Sequence, residues 1–172
     1  GHWALPSAAA AKHVVAAPVS HERAHVRLSN VAQSVGLDFR QGSFRFGVSN
    51  DVRAMMGGGV CWLDYNGDGW EDLFVVNSYA SADTLQWQAH GGLPRTALFE
   101  NVHGSFRNVS RAAHAALPVQ GDGCVAADLN GDGRPDLVVT TTTGVDILWN
   151  KGDGTFRESA LPANGWYSGA TV

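Results

Sequence analysis

The sequence predicts an all-β fold, and three observations favour it. Two acidic, glycine-rich loops at 64–72 and 128–136 share one pattern of residues. Each loop leads directly into an apolar run, at 73–76 and 137–139, whose β-branched and aromatic residues are typical of a short buried strand. Glycine is frequent, with 21 among 172 residues, as expected where tight turns are common. We therefore expect short strands joined by turns.

The two loops carry oxygen-bearing side chains at loop positions 1, 3, 5 and 9 and glycines at positions 4 and 6. This spacing places three carboxylates and one amide around one point, and the carbonyl of position 7 can also face inward. Hard oxygen donors of this kind suit Ca²⁺, which takes about six to eight oxygen ligands. The predicted ligands are Asp64, Asn66, Asp68, Trp70 and Asp72 in the first loop and Asp128, Asn130, Asp132, Arg134 and Asp136 in the second, with Trp70 and Arg134 contributing carbonyls.

Two other interpretations of the loops compete with this one. Each loop begins like an EF-hand loop, but Asp at position 9 closes it where an EF-hand has Glu at position 12, and the flanks are strand-like rather than helical. The same residues also form solvated hairpin turns that bind no metal. Because the pattern occurs twice with the same donor types, 64 residues apart, we favour metal binding.

The pattern D-x-N-G-D-G-x-x-D-L, with the later hairpins at 101–106 and 150–156, resembles the FG-GAP/VCBS repeat of integrin-α-type β-propellers. The stretch MMGGGVCWLD at 55–64 is similar to secreted proteins of the cartilage acidic protein and ASPIC/UnbV group. The resemblance covers about residues 26–172. It implies propeller blades of four antiparallel strands, with a calcium loop between the first and second strands of each blade.

By this resemblance the chain divides into five parts. They are an extended N-terminal arm at 1–25, the outer strand of a partial blade with its connection at 26–56, a blade at 57–110, a second blade at 111–160 and the start of a further blade at 161–172. The outer strand of the partial blade is expected at 28–33. Since propellers need at least about four blades, we expect an incomplete propeller. It is either a fragment of a longer protein or completed by other protein chains.

The charged residues also point away from nucleic acid. The formal net charge is −4, and seven of the sixteen acidic residues lie inside the two loops, so two bound dications would bring the formal total to zero. No basic face remains to suggest a nucleic-acid partner. No stretch reaches the ~20 apolar residues of a membrane-spanning helix. We expect a calcium-binding module outside the cytoplasm that binds or scaffolds other proteins, with calcium in a structural role.

The two cysteines allow two interpretations. Outside the cytoplasm a pair of cysteines suggests a disulfide. However, Cys61 lies three residues before Asp64, whereas Cys124 lies four residues before Asp128. In equivalent strands these offsets direct the two side chains to opposite faces of their sheets. We therefore predict two buried free thiols and keep the disulfide as the alternative.

A possible enzymatic function depends on His21, Glu22 and His25, which match the H-E-x-x-H motif of zinc proteases. That motif requires an amphipathic helix, yet Pro18 stands just before it and the following residues alternate like a strand. We interpret the match as coincidence and predict no catalytic residues. The alternative function is an enzyme, either a zinc hydrolase that uses this motif or a propeller catalyst whose site lies in missing blades.

The segment between the second and third strands of the first blade, at 78–96, is unusually long. Loops of this length are uncommon in compact domains and are often functional. The segment contains Trp87, His90 and Pro94. We expect either a partner-binding surface or a lid over a blade face.

Overall fold

The computed structural model of the chain describes residues 27–171. The chain divides after Asn30 into two compact units, and all described helices and strands belong to the unit that begins at Val31. Within the described residues, no helix has the length and apolar character needed to cross a membrane.

The fold consists of eight strands in two four-stranded antiparallel sheets. In chain order the strands are β1 (Val60–Leu63), β2 (Asp72–Val75), β3 (Ala97–Val102), β4 (Ser105–Asn108), β5 (Gly121–Ala127), β6 (Asp136–Thr141), β7 (Gly144–Asn150) and β8 (Phe156–Pro162). The first sheet has the order β1-β2-β3-β4 and the second the order β5-β6-β7-β8. Two short helices, α1 (Val52–Met56) and α2 (Thr84–Ala89), and a 3₁₀ turn (Ser81–Asp83) complete the described elements. The predicted all-β class and the predicted strand order of each blade are confirmed.

The two sheets repeat the same register around the two acidic loops. In the first sheet Leu63 pairs with Asp72, and in the second sheet Ala127 pairs with Asp136. The aspartate at loop position 9 is therefore the first residue of the second strand in both sheets. Each acidic loop is the connection from the first strand to the second strand.

The main hydrophobic core lies between the two sheets. Alternate residues of each strand point to opposite faces, so Phe74 and Val76 face the second sheet while Leu73 and Val75 face away from it. The buried members of this core are Cys61, Leu63, Tyr65, Phe74, Val76, Leu98, Ala113, Ala115, Leu117, Leu137, Val139, Leu148 and Phe156. Stacking of one sheet on the next is therefore the interaction that buries most apolar side chains of this chain.

The segment before α1 covers the other face of the first sheet, which corrects one prediction. No strand forms at 28–33; residues 32–36 form a turn instead. The Val35 N–H donates to the Val31 carbonyl (3.1 Å), and the Ser34 hydroxyl donates to the same carbonyl (2.8 Å). These local hydrogen bonds replace strand pairing. Leu37 and Phe39 then pack on the face formed by Leu73 and its neighbours.

A disulfide joins Cys61 of β1 to Cys124 of β5, so the prediction of two free thiols is wrong. The two Cα atoms lie 6.0 Å apart. The side chains do point to opposite faces of equivalent strands: Cys61 pairs across its sheet with Phe74, and Cys124 with Val139. Stacked sheets present opposite faces to each other, and both faces belong to the shared core. The one-residue offset therefore brings the two sulfur atoms together.

The long segment at 78–96 folds against the residues around α1. The Ser81 N–H donates to the Asp51 carboxylate (3.1 Å), and the ring of Trp87 packs edge-on against Phe46 with 4.9 Å between centroids. Trp87 is half-buried by this contact. Both interpretations of the segment remain predictions, although Trp87 itself is not a free surface aromatic.

Candidate metal loops

The first loop is organised by the carboxylate of Asp64 at loop position 1. One oxygen accepts the N–H groups of Gly67 (2.8 Å) and Asp68 (3.1 Å), and the other accepts the N–H of Gly69 (2.8 Å). The two glycines have φ of +74° and +84°, a region that L side chains rarely adopt. Glycine at positions 4 and 6 therefore allows the backbone to wrap around one carboxylate.

The second loop repeats this arrangement atom for atom. The carboxylate of Asp128 accepts the N–H groups of Gly131 (2.7 Å), Asp132 (3.1 Å) and Gly133 (2.9 Å). The N–H of Gly133 and the other backbone donors hold the pKa of Asp128 below its usual value. Each position-1 carboxylate therefore lies at the centre of its loop and accepts three backbone N–H groups.

The carboxylates at loop position 9 are buried and tie each loop to the third strand of its sheet. Asp72 accepts the N–H of Tyr65 (3.1 Å) and of Asn101 (2.7 Å). Burial raises the pKa of Asp72 to about 6. The two N–H donors lower this pKa, whereas the nearby carboxylates of Asp68 and Asp64 raise it further. The first loop therefore holds negative charges that repel one another.

Asp136 has the same position and the same kind of partners. It is fully buried and accepts the N–H of Leu129 (3.2 Å) and of Asn150 (2.8 Å). Each position-9 carboxylate therefore satisfies one backbone donor inside its own loop and one at the end of the third strand. These contacts define the shape of the loop from the buried side.

Two asparagines that the sequence analysis did not identify as loop residues also hold the loops. The Asn101 amide donates to the Glu71 carbonyl (2.9 Å), and the Asn150 amide donates to the Pro135 carbonyl (3.2 Å). Asn150 also donates to the Tyr65 carbonyl (2.8 Å), which joins the second sheet to the first loop. A sequence signal was present, because both residues open the hairpins at 101–106 and 150–156.

We expect Asn150→Ala to lower the free energy of unfolding by about 2–3 kcal/mol, since it leaves two backbone carbonyls without their donor. Asn101→Ala is the matched control, with an expected loss about 1 kcal/mol smaller, because the Asn101 amide donates only to its own loop. Both variants also lose one glycine N–H bond, from Gly104 to Asn101 (2.7 Å) or from Gly152 to Asn150 (2.9 Å). Urea denaturation of both variants measures the difference. Equal losses would show that the bond from Asn150 to Tyr65 contributes nothing to the contact between the sheets.

The remaining predicted ligands bond within their own loops. Asn66 accepts the N–H of Asp68 (3.0 Å), and Asp68 accepts the N–H of Trp70 (2.8 Å). In the second loop Asn130 accepts the N–H of Asp132 (2.9 Å), whose carboxylate forms an ion pair with Arg134 (2.6 Å). The side chains at positions 1, 3 and 5 therefore all stabilise the turn through backbone amides.

The donor chemistry of the loops fits Ca²⁺, but the side chains are not gathered into a coordination shell. Across residues 27–171, no three side chains of His, Cys, Asp or Glu form a group that could hold a metal ion. Two features of the loops suit Ca²⁺. Each loop offers three carboxylates and one amide as ligands within nine residues, and in the first loop repulsion between carboxylates helps to raise the pKa of Asp72. Calcium binding at these loops stays a prediction and requires the carboxylates to converge.

The two loops are neighbours. A cavity of about 300 Å³ lies between them, lined by Asp64 and Asn66 on one side and by Gly133 and Arg134 on the other. The bond from Asn150 to the Tyr65 carbonyl lies in the same region. The candidate loops therefore share one edge of the stacked sheets. The H-E-x-x-H stretch at 21–25 lies outside the described residues.

Comparison with known protein families identifies a repeat that begins at each of the two acidic loops. The FG-GAP-like repeat matches the chain twice, at residues 64–139 and 128–172, and each match begins at the position-1 aspartate of a loop. Together the matches cover more than half of the chain. The chain belongs to the FG-GAP-like repeat family. No curated protein matches it.

FG-GAP-like repeats are typical of β-propeller modules that mediate protein interactions. The family is typical of extracellular proteins and is typically non-enzymatic. Membership therefore agrees with the two four-stranded sheets of this chain. The narrower resemblance to the ASPIC/UnbV group stays a prediction, because the matching family is the general repeat.

Proposed function

We propose that this chain is a calcium-binding β-propeller module that acts outside the cytoplasm as a protein-binding or scaffold subunit. One observation carries the proposal, namely that the two FG-GAP-like loops have the same structure. In each loop three backbone N–H groups donate to the position-1 carboxylate. In each sheet the buried position-9 aspartate pairs with the last residue of the first strand. A solvated hairpin turn has no need for a buried carboxylate at its end.

Calcium has a structural role in this proposal. The first loop has four carboxylates and the second has three, and they repel one another. A dication in each loop offsets that repulsion and fixes the turn between the first and second strands. The carbonyls of Trp70 and Arg134 complete the donor set at position 7. Calcium outside cells is abundant enough that such loops are filled even at modest affinity.

The disulfide supports a location outside the cytoplasm. Cys61 and Cys124 are separated by 63 residues and join the two sheets. Disulfides form and persist in oxidising compartments and are rare in the cytosol. Together with the usual setting of FG-GAP-like repeats, this favours a secreted, periplasmic or cell-surface protein.

The proposal of protein partners is supported by sheet faces that neither sheet covers. On the second sheet, Val138 and Ile147 point away from the shared core and are half-buried. On the first sheet, Val60 and Trp62 of β1 are 60% and 54% exposed. Blades are stabilised by packing against neighbours, so these apolar faces suit other protein chains that complete the propeller or a larger assembly.

Terbium luminescence tests the metal sites one loop at a time. Tb³⁺ occupies Ca²⁺ sites, and Trp70 lies inside the first loop whereas the second loop has Arg134 at that position. We expect excitation of tryptophan to sensitise Tb³⁺ emission, Ca²⁺ to quench it, and metal analysis to give two Ca²⁺ per chain. Asp68→Ala should abolish the signal from the first loop.

Asp132→Ala is the matched control in this experiment, because it removes the same position-5 carboxylate from the second loop. It should leave the Trp70-sensitised emission intact and reduce the bound calcium to one ion per chain. A chain that binds no calcium, or that loses emission equally in both variants, would contradict the proposed sites.

A further inference from the structure

A second polar site lies at the opposite end of the first sheet from the acidic loop. It is a cavity of about 610 Å³ formed by residues 38–40, by Asn77 after β2, by the start of β3 at 95–97 and by 108–112 at the end of β4. Its volume lies in the range of small-molecule binding sites. No feature of the metal loops extends to it.

Three guanidinium groups line this cavity, although the chain as a whole has a formal net charge of −4. They belong to Arg40, Arg95 and Arg111. Elsewhere Arg53, Arg107 and Arg134 form ion pairs with carboxylates, but within residues 27–171 none of the three cavity arginines does. Asp38 is the single carboxylate in the lining. The cavity thus concentrates positive charge in an acidic chain.

One buried side chain holds two of these arginines in place. The Asn77 amide nitrogen donates to the backbone carbonyls of Arg40 (3.3 Å) and Arg95 (3.2 Å). The Asn77 oxygen accepts the N–H groups of Gly42 and Ser78, each at 2.9 Å. All its hydrogen-bonding groups are therefore used to join three segments. The backbone positions of Arg40 and Arg95 are fixed before any ligand arrives.

The side chains themselves remain available for a ligand. The Arg95 guanidinium donates one hydrogen bond to the Ala116 carbonyl (2.8 Å), and this bond orients the guanidinium. In the described part of the chain, the guanidiniums of Arg40 and Arg111 form no hydrogen bond. Each guanidinium offers five donors in a planar fork that matches a carboxylate or a phosphate.

We propose that this cavity binds a small ligand with two or more oxyanion groups, either carboxylates or phosphoryl groups. A single carboxylate engages only one or two guanidinium forks, and a single phosphate fills only a small part of a cavity of about 610 Å³, so three guanidiniums around this cavity leave donors and space for a second oxyanion. An adjoining cavity of about 310 Å³ is also lined by Arg95 and Arg111, so these two guanidiniums border both cavities. Glu158 also lines this second cavity, and its carboxylate disfavours anionic groups there.

The proposal is tested by nuclear magnetic resonance titration of the calcium-loaded chain at low ionic strength. Glutarate is the dicarboxylate probe and fructose 1,6-bisphosphate the bisphosphate probe; acetate and inorganic phosphate are their single-group counterparts. We expect one bifunctional probe to shift the side-chain Nε–H resonances of Arg40, Arg95 and Arg111 and to bind more tightly than its single-group counterpart. Whichever probe binds identifies the oxyanion.

Arg40→Gln and Arg111→Gln should each weaken that binding about five- to tenfold, as expected for the loss of one charge-assisted contact near the surface. Their folding should be unaffected, and thermal unfolding checks this. Arg45→Gln is the matched control, since Arg45 is exposed and lies outside the cavity. Binding that matches the single-group probe, that survives both variants, or that weakens equally in Arg45→Gln would overturn the proposal.

Discussion

Removal of the Cys61–Cys124 disulfide lowers the free energy of unfolding by about 4 kcal/mol. This is the chain-entropy value for a crosslink that spans 63 residues. The bond joins the first strands of two sheets that share one core, so its loss also frees the sheets to separate. Urea denaturation of the double variant Cys61→Ala/Cys124→Ala, compared with the oxidised chain, measures the effect.

The matched control is the unsubstituted chain after reduction, which keeps both cysteine side chains but lacks the crosslink. We expect it to lie within about 1 kcal/mol of the double variant, because each substitution removes only one sulfur atom, buried in Cys61 and partly buried in Cys124. A reduced chain as stable as the oxidised chain would contradict the expected contribution of the crosslink.

Asp136→Ala lowers the free energy of unfolding by about 4 kcal/mol in the presence of a calcium chelator. The Asp136 side chain is fully buried and accepts the N–H groups of Leu129 and Asn150. Hydrogen bonds to a charged acceptor contribute about 1.5–3 kcal/mol each, and both donors lose their partner. The chelator separates this loss from any loss of bound calcium.

Asp132→Ala provides the comparison, since it removes another predicted ligand of the same loop. Asp132 is exposed and accepts the N–H (3.0 Å) and the guanidinium of the half-buried Arg134, so we expect a loss of about 1 kcal/mol under chelation. Thermal and urea unfolding of the two variants measure this difference. Similar losses in both variants would mean that the buried carboxylate does not anchor the loop to β7.

The local parts of the candidate site could be predicted from the sequence. The glycines at loop positions 4 and 6 have positive φ, and the position-1 carboxylates of Asp64 and Asp128 accept N–H groups three to five residues ahead. Such contacts depend only on spacing along the chain. The partners of Asn101 and Asn150 could not be predicted, because strand pairing brings these residues to the loops from a distance.

The difference between local spacing and contacts across the fold also explains the two wrong predictions, those of free thiols and of a strand at 28–33. Spacing correctly assigned Cys61 and Cys124 to opposite faces of equivalent strands, but spacing along a strand does not say which faces meet. For 28–33, the resemblance to the repeat predicted an outer strand, whereas Leu37 and Phe39 pack on the face of the first sheet and the residues before them form a turn. In both cases the arrangement of sheets in space was the missing information.

The sequence by itself determined the all-β class and the two acidic loops, because these depend on residue type and local spacing. The order of strands in each sheet followed from the resemblance of those loops to the FG-GAP repeat. Only the tertiary structure decided the disulfide, the burial of Asp72 and Asp136, and the meeting of Arg40, Arg95 and Arg111 around one cavity. Those features join segments far apart in the chain. Such segments meet only when the sheets form and stack, since burial of the shared apolar core selects which faces come together.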